Sequence, residues 1–225
     1  MDLKRIYVKY GGVIRPILYC KNRLFGVKVK SSGRKNQISG IEKSRIRGTK
    51  IVMCGDNNIV EIGDMVTLHD VTISVEGSNN KVIIGDRCYL SGCSFCIEDD
   101  GNDIILGEHC YIYQNTEISA IENTKVLIGN DCLFSANCMI RTGDSHGIYS
   151  KISGKRVNVS QSIEFKEHVW MGNGCKVLKG TEIESGCVIG AGSVVTNHTE
   201  TDKNCILIGV PARIAKRDIE WKHER

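Results

Sequence analysis

A short block recurs in this sequence at a fixed interval. Each copy opens with an Asn- or Gly-containing pair, continues as an alternating apolar run and closes at an apolar-Gly-polar corner. The copies are NNIVEIGDMV from Asn57, NNKVIIGDRC from Asn79, GNDIILGEHC from Gly101 and NTKVLIGNDC from Asn123. Asn and Gly tolerate the positive φ of tight turns, and alternation is typical of a strand with one buried face. The repeat therefore predicts a strand between two turns, stacked on its copies as in a solenoid.

A finer period of six residues runs inside and beyond these blocks. Apolar anchors six apart are Ile128, Phe134 and Ile140, and then Phe165, Met171, Val177, Ile183, Ile189 and Val195. Small side chains four residues after such anchors are Val66, Cys88, Cys110, Cys132, Cys138, Val169, Cys175, Thr181, Cys187 and Ser193. Neither a helix, with its period of 3.6, nor a flat alternating strand explains a six-residue unit with a bend. Three such sides predict an 18-residue turn. The blocks described above recur every 22 residues, so each of their turns has about four extra residues, which are expected at a polar corner.

Six of the eleven cysteines fall on the small inward position and are expected to be core residues, because a buried free Cys behaves as a small hydrophobe. The one metal-like spacing, Cys93-x-x-Cys96, has no second pair, so no zinc site is expected there. The odd number of cysteines argues against a secreted disulfide framework. No long apolar run or signal-peptide pattern is present, so we expect a cytoplasmic protein.

Charge is distributed unevenly along the 225 residues. Residues 1–50 contain 14 Lys/Arg against Asp2 and Glu42, whereas residues 51–225 contain 16 Lys/Arg against 24 Asp/Glu. A basic segment interleaved with apolar residues can meet an anionic polymer or the inner membrane surface, or it can be a solvated edge over a first apolar layer. No nucleic-acid-binding motif is present, so nucleic acid is not an expected partner.

The stretch EFKEHVWMGNGCKVLKGTEIESGCVIGAGSVVTN, residues 164–197, and the later IGVPARIAK, residues 208–216, closely resemble the hexapeptide-repeat acyltransferases. This resemblance implies an all-β fold, a left-handed parallel β-helix, although the general rule for parallel crossovers favours the right hand. It further implies acetyl-CoA as co-substrate and a homotrimer. We expect a basic segment with the first coils or a cap at 1–50, the β-helix at 51–208 and a C-terminal segment at 209–225, where DIEWKHER predicts a short helix.

The stretch RTGDSHGIYSK, residues 141–151, interrupts the six-residue period. Ile140 and Phe165 are 25 residues apart, which is not a multiple of six, so a loop over 141–160 is expected to leave the prism. His146 lies in this loop, and a neutral imidazole suits a general base near pH 7. Asp144 could either orient this imidazole or form a turn.

The resemblance assigns catalysis to His146. A loop histidine followed 24 residues later by Trp170 resembles the bacterial surface-glycan O-acetyltransferases, and most nearly those that modify sialic-acid capsules. That likeness places Trp170 in the site, either stacking on the substrate or donating a hydrogen bond to the oxyanion. His109 and His168 are expected at the surface, outside any site.

Residues for acetyl-CoA also follow from the resemblance. Gly172, Ala191, Thr196 and Asn197 would line the pantetheine arm, and Arg213 and Lys216 would meet the phosphates. The family commonly has Lys where this chain has Asn197, which puts that contact in doubt.

Several activities remain open at the level of sequence. We expect acetyl transfer to a sugar hydroxyl of a capsule or O-antigen, with an anionic glycan such as sialic acid suiting the basic segment. The alternatives are an amino-sugar N-acetyltransferase, a small-molecule acetyltransferase and a β-helix scaffold without catalysis. A metal-dependent lyase needs three imidazoles, two of them close in sequence. The candidates His69, His109, His146 and His168 are far apart along the chain, so no metal is expected.

Overall fold

The computed structural model describes residues 16–17 and 20–224 of the chain. Residues 1–15 of the basic segment, including Arg5, Lys9 and Arg15, therefore lie outside the described residues. Twenty-four strands occur in the described part, and they form three sheets in which almost all neighbours are parallel. Successive strands along the chain enter the three sheets in rotation, which is the topology of a parallel β-solenoid.

The strands of each sheet follow one another from coil to coil. Sheet A contains β1 (Val27–Ser32), β4 (Thr49–Cys54), β7 (Thr72–Glu76), β10 (Ser94–Glu98), β13 (Glu117–Ile121), β16 (Met139–Arg141), β19 (Lys176–Leu178) and β22 (Val194–Val195). Sheet B contains β2 (Gln37–Ser39), β5 (Ile59–Ile62), β8 (Lys81–Ile84), β11 (Asp103–Leu106), β14 (Lys125–Ile128), β17 (Ile163–Phe165) and β20 (Glu182–Ile183). Sheet C contains β3 (Arg45–Arg47), β6 (Thr67–His69), β9 (Tyr89–Ser91), β12 (Tyr111–Ile112), β15 (Leu133–Phe134), β18 (Trp170–Met171), β21 (Val188–Ile189), β23 (Ile206–Gly209) and β24 (Ala212–Lys216).

The strand registers reproduce both sequence periods. In sheet B, Ile59 pairs with Lys81 and Asp103 with Lys125, so each early coil is 22 residues long, which is the interval at which the block recurs. Beyond the loop the coils are shorter, and Trp170 pairs with Val188 in sheet C, as the six-residue unit taken three times requires. The predicted turn of three sides and its longer variant are thus confirmed.

The core is a single column of apolar side chains inside the prism. The anchors at the six-residue spacing are buried, and so is every small residue predicted to face inward, including the six cysteines. All eleven cysteines are free. A buried free Cys acts at this position as a small hydrophobe, as the sequence predicts.

The additional four residues of each early coil form a corner between sheets A and B that contains an asparagine ladder. Asn58, Asn80 and Asn102 are fully buried there. Asn80 Oδ1 accepts the backbone N–H of Asn102 at 2.7 Å, and Asn102 Oδ1 accepts that of Thr124 at 2.9 Å. The Asn80 Nδ2 group also donates to the Asp99 carbonyl at 2.8 Å. The amide side chains therefore satisfy backbone groups that a bulged corner would otherwise leave buried and unpaired.

The first coil begins within the basic segment. A π-helical turn at Asn22–Gly26 precedes β1, and a 3-10 turn at Ile41–Lys43 connects β2 to β3. The buried Asn22 side chain donates from Nδ2 to the Ile41 carbonyl at 2.8 Å and to the Ser44 carbonyl at 2.7 Å. These bonds fix the turn against the first coil. None of the helices in the described part of the chain is long and apolar enough to cross a membrane.

The short helix predicted for the C-terminal segment is wrong. Strand β24 runs antiparallel to β23, and residues 217–224 form no helix. The Trp221 side chain is buried, and its Nε1 donates to the His168 carbonyl at 3.0 Å. A segment this short gains little from helix formation, so a tertiary contact with the prism decides its backbone.

Candidate active site

The loop that interrupts the period leaves the prism at the corner between sheets A and B. Met139 in β16 pairs with Lys176 in β19, whereas Lys176 pairs with Val194 in the next coil, so the coil that carries the loop is about twice as long as a later one. The loop begins after Arg141 and rejoins the prism at Ile163. The expected break in the coil is therefore present where the sequence interrupts its period.

Asn158 is the hydrogen-bonding centre of the loop. Its side chain is buried, with 8% of its surface exposed. Its Nδ2 donates to Asp144 Oδ2 and to the His146 carbonyl, both at 2.8 Å. Its Oδ1 accepts the backbone N–H of Ile148 at 2.6 Å and Nε of Arg156 at 3.2 Å. One amide thus joins the two arms of the loop around His146, and no sequence signal distinguished it from other loop asparagines.

Ion pairs attach the loop to the coils on either side. Asp144 bonds to Lys179, which follows β19 in the next coil. Arg156 bonds to Glu122 of the preceding coil at 2.6 Å. The hydrogen bond from Lys179 lowers the pKa of Asp144, and the hydrogen bond from Arg156 lowers the pKa of Glu122. Asp144 therefore serves as a loop anchor, and the alternative in which it orients the His146 imidazole is not observed.

His146 is exposed at the base of the loop, and its backbone is fixed at both ends. Its N–H donates to the Asp144 carbonyl at 2.8 Å, and its carbonyl accepts the bond from Asn158. Within the described part of the chain, its imidazole has no hydrogen-bond, ion-pair or ring partner. The side chain is thus presented to solvent from an ordered backbone, with both ring nitrogens free to meet a substrate.

Trp170 lies on the outer face of sheet C and keeps 38% of its surface exposed. Its Nε1 donates to Ser135 Oγ at 3.3 Å, so the indole N–H already has a partner and the ring face is what remains open. Strand register continues from Trp170 through Val188 and Ile206 to Lys216. Three strand spacings of about 4.8 Å separate the ends of this line, or about 14 Å in all.

The residues predicted to contact acetyl-CoA divide between two corners. Gly172 and Ala191 are stacked in adjacent coils at the corner between sheets C and A. A Cβ at Gly172 would lie 2.7 Å from the Ala191 nitrogen, so the close approach of the coils requires glycine. Thr196 and Asn197 follow β22 at the corner between sheets A and B, where a Cβ at Gly180 would lie 3.1 Å from Asn197 Cβ.

Arg213 and Lys216 lie on β24 and are exposed. Neither forms an ion pair with any residue that the structure describes. Lys216 lies at the end of the register line that starts at Trp170. Two unpaired cations at one end of a surface line are a suitable arrangement for phosphate groups.

One chain does not bring all of these residues together. His146, Thr196 and Asn197 belong to the corner between sheets A and B, whereas Trp170, Gly172 and Ala191 belong to sheet C or its far corner. In a three-sided prism, the corner between two sheets lies opposite the third. No hydrogen bond, ion pair or ring contact among residues 20–224 connects the loop to Trp170.

A polar cluster next to Trp170 was not predicted. His168 stacks on Trp221 with ring centroids 4.0 Å apart, and Trp221 lies 5.9 Å from Trp170. Asp131 and His223 complete the cluster. His168 does point outward, as the sequence predicts, but it is covered by the C-terminal segment. The sequence did contain a signal for this contact. Asp131 and His168 are 37 residues apart, as are Met139 and Lys176, which pair across the coil that carries the loop.

The comparisons with known proteins agree with this architecture. Residues 163–197 match the family model for the bacterial transferase hexapeptide, six repeats. The chain thus contains a segment that matches this family model, within a parallel β-solenoid fold.

Its relatives include enzymes that modify glycans. A polysialic acid O-acetyltransferase of Escherichia coli O1:K1 / APEC is 33% identical over 89 residues, which are 40% of this chain and 28% of that protein. A galactoside O-acetyltransferase of Lactococcus lactis is 29% identical over 38% of this chain and 40% of its own length. The sequence matches therefore span less than half of these curated relatives.

Solved structures extend the likeness along the chain. The polySia-specific acetyltransferase NeuO superposes with a TM-score of 0.79 at 28% identity, covering 88% of this chain and 89% of its own. The polysialic acid O-acetyltransferase OatWY gives a TM-score of 0.70 at 29% identity, covering 88% and 92%. The fold predicted from the repeats is confirmed by these two structures.

Proposed function

We propose that this protein transfers the acetyl group of acetyl-CoA to a hydroxyl of an anionic bacterial surface glycan of the polysialic acid type. The observation that carries the proposal is the likeness in structure to two polysialic acid acetyltransferases over 88% of the chain. The exposed imidazole of His146, fixed by its backbone on a protruding loop, supports the same activity. Neither a bare scaffold nor an N-acetyltransferase is favoured by a specific observation.

His146 acts as the general base in this proposal. Its neutral imidazole takes the proton of the sugar hydroxyl while that oxygen forms a bond to the thioester carbonyl carbon. The carbon–sulfur bond then breaks, and the imidazolium returns the proton to the departing CoA thiolate. Because the thioester is already activated, no covalent enzyme intermediate is required.

Trp170 serves this reaction as a stacking surface. Its N–H is committed to Ser135, so donation to the oxyanion is disfavoured and the exposed ring face remains for the sugar. Acetyl-CoA supplies the acyl group as the second substrate. Arg213 and Lys216 would meet its phosphates, and Gly172 and Ala191 would line its pantetheine arm. Thr196 and Asn197 lie at the corner that carries His146, so we assign them to the half of the site formed by that corner.

The separation of His146 from Trp170 within one chain leads to a site shared between two copies. The corner between sheets A and B of one protomer would face sheet C of the next, as in the proposed homotrimer. The loop offers apolar side chains for this contact, since Ile152 is 100% exposed and Ile148 and Val157 are exposed beside it. Ordinary surfaces do not cluster such residues without a partner.

Mixing inactive variants tests both the base and the shared site. His146→Ala and Trp170→Ala homo-oligomers should each lose acetyl transfer to a polysialic acid acceptor while keeping their melting temperatures. Co-refolding the two variants should restore part of the activity, because some interfaces then combine an intact His146 with an intact Trp170. Turnover retained in His146→Ala would refute the base, and absence of complementation would refute the shared site. Mass spectrometry of the product separates O- from N-acetylation.

The described part of the basic segment supports an anionic acceptor. A cavity of about 480 Å³ at the start of sheet C has Lys21, Arg45 and Arg47 in its lining, and no carboxylate. None of these three cations forms an ion pair with a described residue. Arg47→Gln should raise KM for polysialic acid and leave KM for acetyl-CoA unchanged. Arg34→Gln, which removes a cation paired with Asp56 at 2.9 Å, is the matched control. Equal acceptor KM values in both variants would reject the role of this cavity.

We place the protein in the cytoplasm, where it would contact the inner membrane surface. Eleven free cysteines, including Cys187 and Cys205 with sulfurs hydrogen-bonded at 3.5 Å and not joined in a disulfide, suit the reducing cytoplasm. A basic N-terminal segment could also touch the inner membrane surface where glycan synthesis takes place. Sedimentation of the protein with anionic vesicles, compared with neutral vesicles, tests that contact.

A further inference from the structure

Three polar residues occupy the same corner position in consecutive coils. His109, Asp131 and His168 all have positive φ, at 62°, 58° and 56°. Backbone bonds link their coils, since the Asp131 N–H donates to the Glu108 carbonyl at 2.8 Å and the His168 N–H donates to the Asn130 carbonyl at 2.9 Å. Although these residues are far apart along the chain, they are therefore neighbours in this fold, about 4.8 Å from coil to coil.

The C-terminal segment brings a third histidine to this column. Trp221 stacks on His168 with ring planes 8° apart, and it donates from Nε1 to the His168 carbonyl at 3.0 Å. His223, two residues later, lies with Nε2 3.2 Å from Asp131 Oδ1. His168 Nδ1 lies 2.6 Å from Asp131 Oδ2. One nitrogen from His168, one nitrogen from His223 and one carboxylate oxygen of Asp131 all lie within 4.8 Å of one another.

The hydrogen bonds of His168 indicate which of its two ring nitrogens carries the proton. Its Nε2 lies 3.0 Å from the Trp221 carbonyl oxygen, which can only accept, so Nε2 carries the proton. In the neutral imidazole, Nδ1 then presents a lone pair to Asp131. A lone pair and a carboxylate repel each other unless a proton or a metal cation lies between them. A backbone carbonyl that holds the outer nitrogen of a histidine is the usual support of a metal ligand.

We propose that Asp131, His168 and His223 bind one divalent transition metal of the zinc class. Two neutral imidazoles and one carboxylate form a ligand set that zinc accepts, at bond lengths of about 2.0–2.2 Å. His109 Nδ1 lies 3.6 Å from Asp131 Oδ1, within reach of a fourth position. The metal would fasten the C-terminal segment to the prism and fix Trp221 beside Trp170. This site is independent of the proposed acetyl transfer.

The expectation from sequence that no metal binds rested on the distance between histidines along the chain, which does not measure their separation in a solenoid.

Metal titration of the chelator-treated, tag-free protein tests the site. Calorimetry with Zn²⁺ should give one site per chain, and Co²⁺ should give visible ligand-field bands without a sulfur-to-metal charge-transfer band. Asp131→Asn and His223→Gln should each weaken Zn²⁺ binding by about tenfold or more. His198→Gln, which removes an exposed histidine outside the cluster, is the matched control and should bind like the parent.

A structural readout distinguishes a site from adventitious binding. Zn²⁺ should change tryptophan fluorescence and raise the melting temperature in the parent and in His198→Gln, because Trp221 lies on the ligand His168. Neither change should occur in His223→Gln, whose circular dichroism verifies that it folds. Zn²⁺ binding that is unchanged in Asp131→Asn and His223→Gln, a thiolate band with Co²⁺, or no binding at all would overturn the proposal.

Discussion

Asn158→Ala should impair acetyl transfer without weakening the prism. The side chain donates two bonds of 2.8 Å across the loop, to Asp144 Oδ2 and to the His146 carbonyl, and its Oδ1 accepts two more, from Ile148 and Arg156. Each net hydrogen bond contributes about 1 kcal/mol, so removing all four should destabilise the ordered loop by about 4 kcal/mol. If His146 acts only from the ordered loop, kcat/KM should fall by up to about 900-fold, since about 1.36 kcal/mol corresponds to tenfold. The melting temperature should hardly change because the loop lies outside the core.

Two measurements on the same variant make this prediction refutable. Kinetics with acetyl-CoA and polysialic acid give kcat/KM, and hydrogen exchange of the Val157 amide, which donates to the Ile148 carbonyl across the loop at 2.8 Å, reports loop order. Lys151→Ala, an exposed change at the tip of the loop, controls for altered surface charge. Full activity in Asn158→Ala despite rapid amide exchange would show that an ordered loop is not needed. Lost activity with unchanged exchange would give Asn158 a role other than positioning.

Three further predictions concern the prism and the anchoring of the loop. Asn80→Ala leaves the Asn102 N–H and the Asp99 carbonyl without the partner that Asn80 supplies and should lower the free energy of unfolding by about 3 kcal/mol in urea, whereas Asn173→Ala, at an exposed asparagine without a positive φ, should change it little. Thiol reagents should modify the exposed cysteines of the native protein and leave Cys138 unmodified, since burial raises the pKa of Cys138 to about 11. If mass spectrometry detects early modification of Cys138, the buried column of cysteines is contradicted. The hydrogen bond from Lys179 lowers the pKa of Asp144 below its ordinary 3.8, so the loop contact is complete above that value and is lost as the pH falls through the lowered value; Asp144→Asn should remove this transition from the amide shifts.

The periodicity of the sequence was enough to predict the fold because each coil repeats one local rule. The inward anchors and small residues lie where the six-residue spacing puts them, and the bulged corners lie where Asn and Gly concentrate. The C-terminal helix was predicted wrongly, since the position of Trp221 depends on a pocket that forms only when the coils stack. A local pattern does not contain that information.

The candidate site was only partly accessible from the sequence. The interrupted period located the loop and His146, because a loss of phase is a local signal. The role of Asn158 depends on contacts with residues 10 to 14 positions away in an irregular loop, for which no periodic rule exists. The relation between His146 and Trp170 depends on which face each occupies, and that is decided by the stacking of whole coils.

The reversal of the chain at β24 has a consequence for the behaviour of the molecule at high concentration. A stack of parallel coils ends in open strand edges, onto which another stack can add, as in fibril growth. By folding back antiparallel to β23, β24 occupies the last edge of sheet C with a strand of the opposite direction and two cations that have no ion-pair partner among the described residues. We expect this reversal to hinder end-to-end addition through that sheet, so deletion of residues 210–225 should make the protein form filaments.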